Sequence, residues 1–283
     1  MSGKEDLMKS LLTRAAWIGL AVSTAGVPLA AQMQNNSEKQ LTCANGGYDS
    51  DRARHCEIRE QTLPSIGRLT IDAGQNGGAT VKGWTRGDVL VRARIEASGD
   101  TEAAAAMMAS RVMVDGSGGQ VRATGPDRAD NSSWSVSYEI FVPQISDLNL
   151  KTNNGGLTIS DVRGQIHFDA NNGGVHLKRV VGDVSGATVN GGIQVELAGA
   201  IWDGRQMELS THNGGVTVTM PAHYSARIQA ETGMGRIQSD FPLPQNFSHD
   251  RNQRLDFNVG AGGPPIHITT GNGGIRLKRS ESQ

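Results

Sequence analysis

The side chains with most chemistry to offer in this 283-residue chain are seven histidines, two cysteines and 28 acidic residues. Two facing carboxylates would do the acid–base work of glycoside hydrolysis. Histidines and cysteines at short spacing would hold a metal. Whether any of them meet depends on a repeat. The triplet Asn-Gly-Gly starts at residues 45, 76, 154, 172, 190, 213 and 272, and the steps from Asn154 to Asn172 and from Asn172 to Asn190 are both 18 residues. Adding 18 gives the side chains that would lie over one another if the chain came back to the same place on each turn. Asp161 then falls on Arg179, Asp169 on Ala187, and Gln165 on Asp183. Lys178 falls on Glu196, with Ser160 and Thr219 beyond. No column of the regular coils collects two carboxylates, and Lys178 with Glu196 reads as an exposed ion pair. His167, His176 and His267 each sit between two apolar residues, so they face solvent from a strand. The run Gly116-Ser117-Gly118-Gly119 and the run Gly260–Gly263 lack the Lys-Ser/Thr of a phosphate loop. The Gly-Gly turns lack the Asp of calcium-binding repeats. No catalytic residue, cofactor or metal is expected; an acid pair could still form across columns or in the irregular segments, where Asp203, Glu208 and Asp250 are the best candidates.

The elements that position these residues follow from the same repeat. After each triplet come Leu157-Thr158-Ile159-Ser160, Val175-His176-Leu177-Lys178, Ile193-Gln194-Val195-Glu196 and Val216-Thr217-Val218-Thr219. Strict apolar–polar alternation is the signature of a strand with one buried face. About eight residues later Val162-Arg163-Gly164-Gln165-Ile166 matches Val180-Val181-Gly182-Asp183-Val184, and Trp202-Asp203-Gly204 begins a looser copy. Each coil reads as turn, strand, turn, strand. Asn and Gly tolerate positive φ, which is the expected reason for the triplet at a tight corner. Antiparallel hairpins at the Asn-Gly pairs are the alternative, but hairpins do not require like residues every 18 positions. The expected fold is all-β: a right-handed parallel β-solenoid (β-helix) of 18–20-residue coils, with Asn76, Asn154, Asn172, Asn190, Asn213 and Asn272 as structural turn residues whose amides can hydrogen-bond along a ladder. One coil buries too few apolar side chains to offset the entropy of ordering it, so stability belongs to the stack.

The flanks are less regular. Stretches 68–73, 88–97, 120–124, 135–142 and 148–152 read as strands, and the Ala- and Met-rich segment from Asp100 to about Val112 reads as the one short helix, capped by Asp100 or Thr101. Terminal coils must differ from the rest to protect open sheet edges; Lys278 and Arg279 are expected to guard the last one. The expected layout is a signal peptide over 1–31, a flexible leader with a disulfide loop over 32–55, irregular β coils with the helix over 56–150, the regular solenoid over 151–279 and a tail over 280–283.

Composition excludes some classes of function. With 27 basic and 28 acidic residues the chain has no basic excess for nucleic acid. Lys4, Lys9 and Arg14 precede the apolar stretch 15–31, which ends in Ala30-Ala31. That is the pattern of a secretory signal; as a membrane anchor the stretch is short and is broken by Gly26 and Pro28. No later segment is long enough to span a membrane. Cys43 and Cys56, the only cysteines, suggest a disulfide in an exported protein, with two free thiols or a metal pair as the alternatives.

The run Cys56-Glu57-Ile58-Arg59-Glu60, the repeated Asn-Gly-Gly coils, Ser239-Asp240-Phe241-Pro242, and the closing Gly260–Pro264 and Thr270–Ile275 segments together resemble a family of bacterial β-strand-repeat proteins of unknown function that carry a provisional adhesin label. The resemblance covers roughly residues 56–279. It implies an extracytoplasmic β-solenoid and brings no catalytic residues with it. The expected function is an exported, non-catalytic surface or envelope module, in the periplasm, on the outer surface or secreted. Its polar ladder Thr158–His176–Gln194–Thr217 would meet an envelope polysaccharide or a surface protein. A carbohydrate-active enzyme and a purely structural scaffold are the alternatives.

Overall fold

Residues that alternate apolar and polar cannot be satisfied by one strand; they need a sheet with a dry face and a wet one. A computed structural model describes residues 41–43, 52–65, 67–127, 131–245, 247 and 253–280, and in it the described chain is all-β with a single α-helix, Glu102–Ser110. The expected signal peptide, Asn45 and Asp250 lie outside these residues. Two mixed sheets of ten strands each make up the fold. Along the first, the order is Ala53–Pro64, Asp88–Gly99, Ser133–Pro143, Ala79–Trp84, Leu157–Ser160, Val175–Lys178, Ile193–Glu196, Val216–Pro221, Ile275–Ser280 and Ile237–Ser239. Along the second it is Met113–Asp115, Gln120–Thr124, Arg68–Asp72, Asp147–Asn154, Arg163–Asn172, Val181–Asn190, Met207–Asn213, Pro265–Asn272, Ala226–Met234 and Arg254–Val259.

Between the Asn-Gly-Gly corners the pairing is parallel, in the register that the 18-residue spacing requires. Val175 is opposite Leu157 and Ile193, and Ile193 is opposite Val216. Leu157, Val175, Ile193 and Val216 are all fully buried, as are Leu150, Phe168, Leu209 and Ile268 on the facing sheet. Large and small residues alternate where needed: a Cβ on Gly186 would lie 2.5 Å from the Phe168 ring. Parallel pairing does not extend over the whole chain. At one end Ala53–Pro64 and Asp88–Gly99 pair antiparallel, as do Asp88–Gly99 and Ser133–Pro143. At the other, Arg254–Val259 runs antiparallel to Ala226–Met234. These strands are the atypical terminal units.

The stack does not follow sequence order at its ends, contrary to the expectation of successive storeys. The last coil of the chain, 265–280, is inserted beside 207–221, and the earlier coil 226–239 lies outside it. Likewise the first coil, 68–84, lies between 147–160 and the later strands 120–124 and 133–143. Lys278 and Arg279 are therefore on an internal strand and do not guard an edge. The helix has Thr101 as N-cap, its hydroxyl accepting the Ala104 N–H at 3.1 Å, and buries Ala105 and Ala109. Arg59 of the edge strand donates to the carbonyls of Ala109 (3.0 Å) and Val112, so it closes the helix C-terminus. In the same strand, Cys56 forms a disulfide with Cys43, with Cα atoms 5.7 Å apart.

Candidate functional site

The predicted turn asparagines stand in one exposed column. Asn154 Nδ2 donates to Asn76 Oδ1 (2.9 Å), Asn172 to Asn154 (2.9 Å), Asn190 to Asn172 (2.7 Å), Asn213 to Asn190 (2.8 Å) and Asn272 to Asn213 (2.8 Å). Beneath it runs a second ladder that sequence reasoning missed. Buried Thr188, Thr211, Thr270 and Thr232 donate their hydroxyls to the carbonyls of Gly173, Gly191, Gly214 and Gly273 at 2.8–3.0 Å. The signal was a Thr two residues before most corner Asn positions. The expected reason for the corner glycines does not hold: among the described residues none of them has positive φ. The first Gly of each triplet is needed for space, because a Cβ on Gly173 would lie 1.9 Å from the Gly155 carbonyl oxygen. Positive φ occurs instead at Asp161 and Arg179, one coil apart at the far end of the short strand, where Arg179 binds Asp161 through two contacts of 2.6 Å.

The corner is a structural device. The two outer sheet faces carry the polar residues of the strands. On the first, Thr80, Thr158, His176, Gln194, Thr217, Arg276 and Gln238 are in register across seven strands. Lys178 and Glu196 pair beside them at 3.6 Å. Ser160, expected on this open face, is buried. Next to it sits a cluster that no spacing announced: Glu139 is 3% exposed and bound by Lys82 (3.3 Å) and Arg92, which also reaches Glu60 at 2.7 Å. A carboxylate this deep needs such partners.

The second face is concave. A cleft of about 490 Å³ crosses four parallel strands and is lined by Arg68, Asn149, Gln165, His167, Ser185 and Arg205. The pleat explains the lining: Asn149, His167 and Ser185 are successive rungs of one outward column, and Leu148, Leu150, Ile166, Phe168 and Val184 beside them are buried. Arg68 donates to Gln165 Oε1 at 2.8 Å, and His167 Nδ1 lies 3.1 Å from Ser185 Oγ. Asp183 accepts the Arg205 backbone N–H (2.8 Å) and its Nε (2.6 Å); the guanidinium holds this carboxyl below the usual range. Asp183 is thus committed to Arg205. Besides Leu148, Ile166 and Val184, the lining that remains consists of amide, hydroxyl, imidazole and guanidinium groups, which suit a polyhydroxylated ligand.

Of the residues considered for hidden acid chemistry, Asp203 and Glu208 are among the described residues, and each has other neighbours. Asp203 binds Arg163 at 2.8 Å, while Glu208 stands in the rung between Ser185 and His267. Among the described residues no group of three His, Cys, Asp or Glu side chains could hold a metal, and no helix is long and apolar enough to cross a membrane.

Comparison with solved structures finds similarity to a "putative cell adhesion protein" from Clostridium sporogenes, at 12% identity and a TM-score of 0.40, over 79% of this chain and 100% of that one. A "putative adhesin" from Bacteroides fragilis matches at 13% identity and 0.29, over 78% and 97%. A "putative lipid binding protein" from Parabacteroides distasonis matches at 10% and 0.31, over 78% and 96%. No curated protein gives a significant match. The model of the Toastrack DUF4097 family matches residues 86–278, more than half of the chain. By that match, this chain belongs to the Toastrack DUF4097 family, whose function is unknown.

Proposed function

We propose that this protein is an exported, non-catalytic interaction module, a right-handed parallel β-solenoid over 151–279 that binds an extended polysaccharide of the cell envelope along its second sheet. In this reading 1–31 is a signal peptide, 32–55 a leader stapled by Cys43–Cys56, 56–150 the irregular N-terminal cap and 280–283 a tail. The site of action is the periplasm, the cell surface or the exterior. One observation carries the reading: the cleft runs across strands, not along one. Parallel strands recur every 4.7–4.9 Å, a length scale close to that of one sugar ring in an extended chain. Each coil then offers one polar group to each ring.

Purified protein lacking 1–31 is to be titrated against a panel of envelope and plant polysaccharides, with Arg68→Ala and His167→Ala in parallel. Binding weakened at least tenfold by both variants, with unchanged melting temperatures, supports the cleft. Binding only to an envelope protein, or to nothing in the envelope, overturns the polysaccharide assignment. Polysaccharide turnover lost in Asp203→Asn or Asp250→Asn would replace the module by an enzyme.

A further inference from the structure

Each Asn-Gly-Gly corner carries a chemically labile bond and ties up both of its reacting groups. In an unconstrained chain, the backbone nitrogen of an Asn-Gly bond, once deprotonated, attacks the Asn side-chain carbonyl carbon. A C–N bond forms, the bond from that carbon to Nδ2 breaks, ammonia leaves, and water then opens the cyclic imide to Asp or isoaspartate. Glycine makes this easy because no side chain hinders its nitrogen. Among the described residues six such bonds occur, at Asn76, Asn154, Asn172, Asn190, Asn213 and Asn272.

In the fold each attacking nitrogen is occupied. Gly77 N–H is donated to Asn154 O at 3.2 Å, Gly155 to Asn172 O at 3.0 Å and Gly173 to Asn190 O at 3.1 Å. Gly191 is donated to Asn213 O at 3.0 Å, Gly214 to Asn272 O at 3.0 Å and Gly273 to Met234 O at 2.9 Å. The electrophile is restrained as well. From Asn154 upward every side-chain amide donates to the Asn of the neighbouring coil at 2.7–2.9 Å. Removing the proton costs one inter-coil bond, and turning the side chain inward costs another.

We propose that these six Asn-Gly bonds are latent self-modification sites, silent while the coils are stacked and converted when a coil opens. Conversion is one-way. An Asp at 172 still accepts from Asn190, but it turns an oxygen toward Asn154 Oδ1 where the ladder needs a donor. Isoaspartate adds a backbone atom and breaks the 18-residue register. A converted coil cannot return to its place, so modification records each lasting opening. The proposal does not depend on the ligand or on the proposed function.

The test is peptide mapping by mass spectrometry of the chain lacking 1–31, aged in mildly alkaline buffer with and without denaturing urea. All six sites are expected to convert in urea and to convert at least about 100-fold more slowly in buffer, since reaction then requires a local opening. Leu177→Ala, which empties the core between the Asn172 and Asn190 corners, is expected to raise conversion in buffer at those two sites at least tenfold. If that variant does not fold, the wild-type comparison still decides. Equal rates in buffer and urea at Asn154, Asn172 or Asn190 overturn the proposal, as does a folded Leu177→Ala variant with unchanged conversion.

Discussion

The two glycines of one corner should respond to the same substitution in opposite ways. A Cβ on Gly173 would lie 1.9 Å from the Gly155 oxygen and 2.6 Å from its carbon. One on Gly174 would meet nothing nearer than the Gly192 oxygen at 3.6 Å, an ordinary contact. Neither residue has positive φ. Gly173→Ala must push two coils apart by more than an ångström. The bonds between them are then lost: Gly155 N–H to Asn172 O (3.0 Å), Leu157 N–H to Gly174 O (3.0 Å) and Asn172 Nδ2 to Asn154 Oδ1 (2.9 Å). At about 1 kcal/mol each the cost is about 3 kcal/mol, or a fall in melting temperature of about 6–12 °C for a chain of this size. Gly174→Ala should lie within about 1 kcal/mol of the parent, on the stabilising side, because it narrows only the unfolded ensemble. Calorimetry or circular-dichroism melts of the two variants decide the matter. Equal destabilisation, or the larger loss at Gly174, would refute the steric account and return the corner to a dihedral one.

Leu177→Ala should cost about 2–5 kcal/mol as a core truncation, read by urea denaturation. Asp256 is held at about 2 by hydrogen bonds from Arg227 and Gln229. Its lowered pKa contributes stability above the unfolded value near 4 that is lost as pH falls toward about 2. In Arg227→Gln, carbon-detected NMR should find this carboxyl back toward the ordinary range, with little change in stability at neutral pH because the pair is exposed. Reduction of Cys43–Cys56 should lower stability by no more than about 3 kcal/mol, the chain-entropy value for so short a loop, as measured by melts with and without reductant. In hydrogen exchange, amides of 266–270 and 275–277 should be protected like those of the central coils, while 237–239 should exchange first.

The register of the central coils was legible because equal spacing and strict alternation leave little choice: slipping Val175 by one place would turn a whole face out of the core. The helix was legible from Thr101 and the alanines that follow. Three things were not. The reason for the glycines depends on the distance to a neighbouring coil, which no local pattern encodes. The cleft arises from the shape of the second sheet across four strands, and its residues, Arg68 to Arg205, span more than 130 positions of sequence. The buried Glu139 cluster joins Lys82, on a strand parallel to that of Glu139, with Arg92 and Glu60 on antiparallel strands, a mixture that no repeat announces. The order of coils at the ends was also missed, although a signal was present. Corner 232–235 has Met234 where the others have Asn, so it has no amide to place between two others and belongs at the end of the column. Asn272, which has one, belongs against Asn213.

That inversion has a consequence for how the stack ends. A spiral built in strict order would leave its first and last coils each held on one side, and a coil alone does not hold itself together. Here the coil formed last in sequence has neighbours on both sides, 207–221 and 226–239, and the first has neighbours in 147–160 and the strands 120–124 and 133–143. The coils left outermost, 226–239 and 120–143, are the ones that carry antiparallel partners, Arg254–Val259 at one end and Asp88–Gly99 at the other. Their hairpin-like pairing covers edges that parallel strands would leave open to another chain. The long parallel array between them stays a single stack.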